Sequence, residues 1–286
     1  MRSSRPAAVL TLLAALALAA CSGSPAASGS PSGAATTVQL AMTALDYSFD
    51  VPATVQAGAT TISLKNAGKE EHQAQLARFS AGKQVSDLLP ALKANDFATA
   101  LGMITLSGGP TAVLPGETGT VGVTLEPGNY VFLCFIGSPD GVPHFAKGMV
   151  APIEVTAPAT AGELPAGDAS LTLKDFTFEG LDTLTAGPHT VSITNGGPQP
   201  HEAGIVRLSE GVTIDDLKKA LSASEPPSGP PPFTSAAGIA AIAPNAKATL
   251  DLDLEPGNYA FLCFVPDPAT GKAHAQLGMI APLTVE

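Results

Sequence analysis

Two stretches of the chain nearly repeat one another. "LEPGNYVFLCFIGSPDGVPHFAKGM" occupies residues 125–149, and "LEPGNYAFLCFVPDPATGKAHAQLGM" occupies residues 254–279. A chain that carries such a stretch twice is constrained to fold as two copies of one unit. At an offset of 129 residues the match runs well beyond the stretch itself. "DYSF" (46–49) meets "DFTF" (175–178), and "AGATTISLKNAG" (57–68) meets "AGPHTVSITNGG" (186–197). Asn66 falls on Asn195, His72 on His201 and Cys134 on Cys263. After the Cys the offset becomes 130, which places His144 on His274 and Met149 on Met279. The copies are expected at 38–157 and 168–286. The Pro/Gly/Ala-rich stretch 158–167 between them reads as a linker.

Each copy reads as strands. "TTISLKN", "HTVSITN", "TVGVTL" and "ATLDLDL" alternate with a period of two and are rich in β-branched residues. Pro-Gly pairs at 115–116, 127–128 and 256–257 punctuate them as turns. Short strands with regular turns over about 120 residues point to an all-β, Greek-key sandwich in each copy. One helical patch interrupts each copy between the first His and the Cys strand. "VSDLLPALKA" starts at Val85 with Ser86 as the expected cap, and "TIDDLKKALSA" starts at Thr213. Both read as lids on the sandwich. The insertions that hold them, 80–109 and 209–238, are unusually rich in Pro and Gly and are the candidate partner contacts.

The first 37 residues stand apart. Arg2 and Arg5 precede a 14-residue apolar run at 7–20, too short to span a bilayer but suited to a signal peptide. "LAAC" at 18–21 resembles a lipoprotein lipobox, which makes 1–20 a signal peptide and Cys21 the lipidated residue. Residues 21–37 are almost all small residues and Pro, a flexible tether. The expected location is therefore outside the cytoplasmic membrane, anchored by lipid. Without Arg2 and Arg5 the chain has 12 basic and 25 acidic residues, which argues against a nucleic-acid partner. With Cys21 lipidated, only Cys134 and Cys263 remain. They hold equivalent places in the two copies, so a disulfide between them is not expected.

The repeated positions carry the chemistry. Four of the five histidines are matched between copies; His189 falls on Thr60 and reads as a surface residue. His72, Cys134, His144 and Met149 offer two imidazoles, a thiolate and a thioether, and His201, Cys263, His274 and Met279 offer the same. Two His and one Cys with a weak axial Met suit copper cycling between Cu(I) and Cu(II). Zinc also takes His and Cys but rarely Met. Past the signal peptide the chain has only four other His, Cys or Met residues: Cys21, Met42, Met103 and His189. The alternative is a duplicated core motif with no metal.

"NAGKEEH" and "NGGPQPH", the G-x-Y-x-F-x-C strands and the "HFAKGM" and "HAQLGM" endings resemble the cupredoxin superfamily of plastocyanin and azurin. The resemblance covers nearly all of 38–286. It implies one type 1 copper per copy, held by the two four-residue sets above. It also implies a role in electron transfer to a redox or copper-handling partner protein of the cell envelope. A copper carrier or buffer, or a metal-free interaction module, are the alternatives. The loop from Cys to His is nine residues in one copy and ten in the other, longer than in most electron-transfer cupredoxins. A loop of that length is expected to fix the His less tightly and admit more solvent. The chain has no His-x-His pair and no histidine left for a further copper site, so it is read as a protein that is not an enzyme.

Overall fold

The computed structural model describes residues 37–157, 162–222 and 231–286. The expected signal peptide, Cys21, nearly all of the tether and part of the linker lie outside the described residues. No helix among the described residues is long and apolar enough to cross a membrane.

The first copy runs β1 (Val38–Leu45), β2 (Ser48–Asp50), β3 (Thr54–Gln56), β4 (Gly58–Asn66) and β5 (Gln75–Phe79). It continues with α1 (Val85–Lys93), α2 (Phe97–Met103), β6 (Ile104–Leu106), β7 (Thr118–Leu125), β8 (Gly128–Leu133) and β9 (Val150–Thr156). The second copy runs β10 (Ala169–Lys174), β11 (Thr177–Glu179), β12 (Gly187–Asn195) and β13 (His201–Leu208). It closes with α3 (Ile214–Ser222), β14 (Phe233–Ile242), β15 (Lys247–Leu254), β16 (Gly257–Leu262) and β17 (Ile280–Val285).

In each copy two sheets face one another across an apolar core. The first pairs β2-β1-β4-β7 against β3-β9-β8-β5-β6; the second pairs β11-β10-β12-β15 against β14-β13-β16-β17. The period-two pattern explains which side chains go inward. In β4, Ile62, Leu64 and Asn66 are buried; in β12, Val191, Ile193 and Asn195 take the same places. Tyr130 and Phe132, with Tyr259 and Phe261, are core residues, whereas Phe264 is 45% exposed.

The two copies share a sheet. β7 pairs antiparallel with β15, from Ala248 opposite Val123 to Asp251 opposite Thr120, so one eight-stranded sheet runs through both. A second seam lies beside β14. Gly108 N–H donates to Ala241 O (2.9 Å) and Ala240 N–H to Gly109 O (2.7 Å). Gln75 reinforces it: its Nε2 donates to Ala241 O (3.0 Å) and its Oε1 accepts from Ala241 N–H (2.8 Å).

The helical insertion of the first copy holds two helices rather than the one expected. α2 is capped by Asp96, whose carboxylate accepts from Thr99 N–H at 3.0 Å. The cap of α1 is Gln84, not Ser86, because Ser86 already lies inside the first turn; Asp87 accepts from Gln84 N–H at 3.1 Å.

Candidate metal centres

Three segments meet at one end of each sandwich. The first is the loop after β4, which ends at His72. Asn66 closes this loop from within: Nδ2 donates to Glu70 O and Val113 O, both at 2.8 Å, and Oδ1 accepts from Gly68 N–H at 2.8 Å. Asn195 repeats the pattern with Gln199 O (2.8 Å), Ile242 O (2.9 Å) and Gly197 N–H (2.9 Å). The second segment is the strand end that carries the Cys. The third is a short 3-10 turn, His144–Lys147 or His274–Leu277. Each turn ends on a glycine with φ 112°, Gly148 or Gly278, a conformation other residues rarely adopt. That reversal returns Met149 to Cys134, whose N–H donates to Met149 O at 3.4 Å.

The long Cys-to-His loops do not leave the second His loose, contrary to the sequence expectation. Their extra residues fold into small hairpins, bridged at Gly137 with Pro143 and at Pro266 with Ala273. Backbone bonds fix the His directly: His144 N–H to Ile136 O (2.9 Å) and His274 N–H to Val265 O (2.9 Å). Solvent does not enter either. His72, Cys134, His144 and Met149 are all 0% exposed, and so are His201, Cys263, His274 and Met279.

The structure brings His72, Cys134 and His144 together, and likewise His201, Cys263 and His274, with the donor atoms of each group within 4.8 Å of one another. In the first group the two Nδ1 atoms are 3.1 Å apart and Cys134 Sγ is 3.4 Å from His144 Nδ1. In the second the Nδ1 atoms are 3.0 Å apart, with Cys263 Sγ at 3.4 Å from His274 and 3.9 Å from His201. Met149 and Met279 are buried beside these groups. No disulfide links the two cysteines; both are free and buried. His189 takes no part in either group; contrary to the surface reading, its side chain is only 11% exposed, held against Asp168 at 2.7 Å.

The far side of each imidazole decides what the near side can do. His72 Nε2 faces Asp46 Oδ1 (3.3 Å) and His144 Nε2 faces Glu70 Oε2 (2.9 Å). Backbone N–H groups, Lys69's first, pull the Asp46 carboxyl below its ordinary value. The Tyr47 hydroxyl, donating to Glu70 Oε1 at 2.7 Å, does the same for Glu70. A carboxylate only accepts, so both Nε2 atoms carry the proton and both Nδ1 atoms are bare lone pairs. In the second group His201 Nε2 faces Asp175 Oδ1 (2.7 Å). His274 Nε2 faces Gln199 Oε1 (3.1 Å), and the amide is oriented by two carboxylates, Asp175 and Asp267, on its Nε2. The result is the same there. Two lone pairs and a sulfur converge on one buried point, an arrangement that a cation satisfies. In the metal-free protein burial pushes the Cys134 thiol up to about 12 and raises Cys263 as well. Burial also pushes His274 down to about 4 and lowers His72 and His201. A metal would displace the thiol proton and restore the charge balance.

Asp46 and Asp175 were not singled out from the sequence as partners of the site. The signal was present, since the two share the repeat offset. Gly68 and Gly197 belong with them. A Cβ on Gly197 would lie 2.7 Å from Asp175 Oδ1 and 2.8 Å from His201 Nε2, so only glycine lets the carboxylate reach the ring.

No protein-family model and no curated protein matches the chain. Solved structures do. Auracyanin A, a blue copper protein of Chloroflexus aurantiacus, matches at 18% identity and TM-score 0.31 over 42% of this chain and all of its own. Dithionite-reduced auracyanin of Roseiflexus castenholzii matches at 24% identity and TM-score 0.29, over 43% of this chain and 99% of its own. A copper nitrite reductase of Nitrosomonas europaea matches at 19% identity and TM-score 0.24, over 88% of this chain and 94% of its own. The sequence-based conclusion that the chain is not an enzyme is corrected here, because copper nitrite reductases stand among these neighbours. The chain itself is a β-sandwich twice over, with a His-Cys-His group in each copy.

Proposed function

We propose that each copy holds one copper ion and that the protein transfers electrons outside the cytoplasmic membrane, anchored through lipid on Cys21. The convergence of two bare Nδ1 atoms and one Sγ, twice, carries this reading. His72, Cys134 and His144 would hold the first ion, with Met149 beside them; His201, Cys263 and His274, with Met279, would hold the second. Copper bound there supplies one reversible electron per site. The protein's share is to fix the donors in advance, through Asn66, Asn195 and the glycine-ended turns, and to hold the imidazole protons on Nε2 through Asp46, Glu70, Asp175 and Gln199. Full burial of the donors favours electron transfer over a carrier, which has to release its metal. The partner is proposed to be a redox protein of the cell envelope.

Copper titration followed by visible absorption tests the reading. An intense blue thiolate-to-copper band reaching two equivalents is expected. Cys134→Ser and Cys263→Ser should each remove one equivalent. Cu(I) binding without a band would favour a carrier, and no binding of either ion would refute the metal reading. Incorporation of labelled palmitate that is lost in Cys21→Ser tests the anchor.

A further inference from the structure

A cavity of about 440 Å³ lies where the two copies meet. Its walls repeat: Gln73 and Phe135 come from the first copy, Glu202 and Phe264 from the same positions of the second. Each of these residues follows a donor directly in the chain, since Gln73 follows His72, Phe135 follows Cys134, Glu202 follows His201 and Phe264 follows Cys263. Phe97 and Phe145 add two further rings, Phe97 from the insertion that the sequence marked as unusual. The volume falls in the range of small-molecule sites.

Polar groups are few in this apolar space, and two are incompletely used. Gln73 and Glu202 are 6% and 8% exposed. Each spends one oxygen on the backbone: Gln73 Oε1 accepts from Phe135 N–H (3.3 Å) and Glu202 Oε1 from Phe264 N–H (2.7 Å). Gln73 Nε2 and Glu202 Oε2 have no hydrogen-bond partner among the described residues. An amide donor and a carboxyl oxygen, both without a protein partner and open to the space of one apolar cavity, are what a bound polar substituent would satisfy.

We propose that this cavity binds a flat aromatic molecule carrying two oxygen substituents, a hydroxyl on Glu202 Oε2 and a second oxygen on Gln73 Nε2, with its ring among the phenylalanines. Such a molecule lies against both candidate metal centres at once. The cavity is built from protein atoms alone, so the proposal is separable from the metal reading.

The test uses the metal-free full-length protein at about pH 8.5, above the value of about 7 to which burial raises Glu202, with dihydroxynaphthalene, one hydroxyl on each ring, followed by ligand fluorescence. The control probe is its dimethyl ether, which keeps the ring and the acceptors but has no donor for Glu202. Saturable binding of the diol, with the ether about ten- to hundredfold weaker, is expected. Glu202→Gln should lose most of that preference, because its amide offers a donor instead. The first copy shows that a glutamine fits there, since Gln73 makes the same backbone contact. Leu101→Trp, which fills the cavity, should abolish binding of both probes. Equal affinity of diol and ether for the wild-type protein would overturn the proposal, as would the absence of saturable binding. The wild-type comparison decides the matter even if a variant fails to fold.

Discussion

Asn66→Ala is the perturbation that best separates the scaffold of the first site from its donors. Asn66 is 0% exposed and its amide makes three hydrogen bonds, each of 2.8 Å. Truncation deletes all three, at about 1 kcal/mol each. Val113 O keeps a second partner, His72 N–H at 3.0 Å. Glu70 O and Gly68 N–H keep none among the described residues, but both are only partly buried, so water recovers some of their loss. The expected cost is therefore about 3 kcal/mol, read as a lower midpoint in urea unfolding of the metal-free protein. The same loop carries His72, so copper affinity should fall in the first copy while the second titrates as before. Asn195→Ala should give the mirror result. A cost under about 1 kcal/mol, with both copies keeping equal copper affinity, would refute the reasoning, because it would mean the loop holds its shape without the buried amide.

Gln75→Leu keeps the side-chain size but removes the two bonds by which Gln75 reinforces the seam between the copies, leaving Ala241 N–H without its acceptor; about 2–3 kcal/mol of destabilisation in the same urea assay is expected. Gly197→Ala should drive Asp175 away from His201 and weaken copper binding in the second copy alone by about 10–100-fold, measured by competition titration. Glu202 gives a pH test. Burial raises its carboxyl to about 7 from 4.5, so the native state favours the protonated form. Its contribution is then fully present below pH 4.5 and is lost as the pH rises through 7. Glu202→Gln has no such loss, and the histidines are common to both proteins. The variant's stability relative to wild type should therefore rise by up to about 3 kcal/mol across that window. A difference that does not change with pH would contradict the assigned burial.

The donors were legible in the sequence because they are rare residue types held at matched positions. Eight residues of three kinds recur in one order, and few others of those kinds exist past the signal peptide. The strands were legible because their alternation is strong. Other features were not, and for physical reasons. The pairing of β7 with β15 leaves no mark, since a strand that joins two sheets alternates like any other. The hairpins in the Cys-to-His loops are set by backbone bonds that residue type barely encodes. Asp46 and Asp175 are of a type that usually faces solvent, and only the fold turns them toward imidazoles. α2 did carry a sign, Asp96 ahead of an apolar turn, but seven residues give a helix little periodicity to read.

The repeat becomes most informative where it fails. The donors are identical in the two copies, and so are the glycines and asparagines that place them. Their neighbours are not. Behind the second His the first copy has the carboxylate of Glu70 and the second the amide of Gln199. On the cavity side of the Cys the order is reversed, with the amide of Gln73 in the first copy and the carboxyl of Glu202 in the second. Each copy thus has one acid and one amide at these two positions, exchanged between the outer and the inner side of the site. A carboxylate behind an imidazole makes that ring a stronger donor, whereas a buried carboxyl on the inner side acts on the Cys from across the strand. Two sites with the same donors and opposite surroundings are not equivalent. The first should stabilise the more highly charged state of a bound ion better than the second, and Glu70→Gln should narrow the difference.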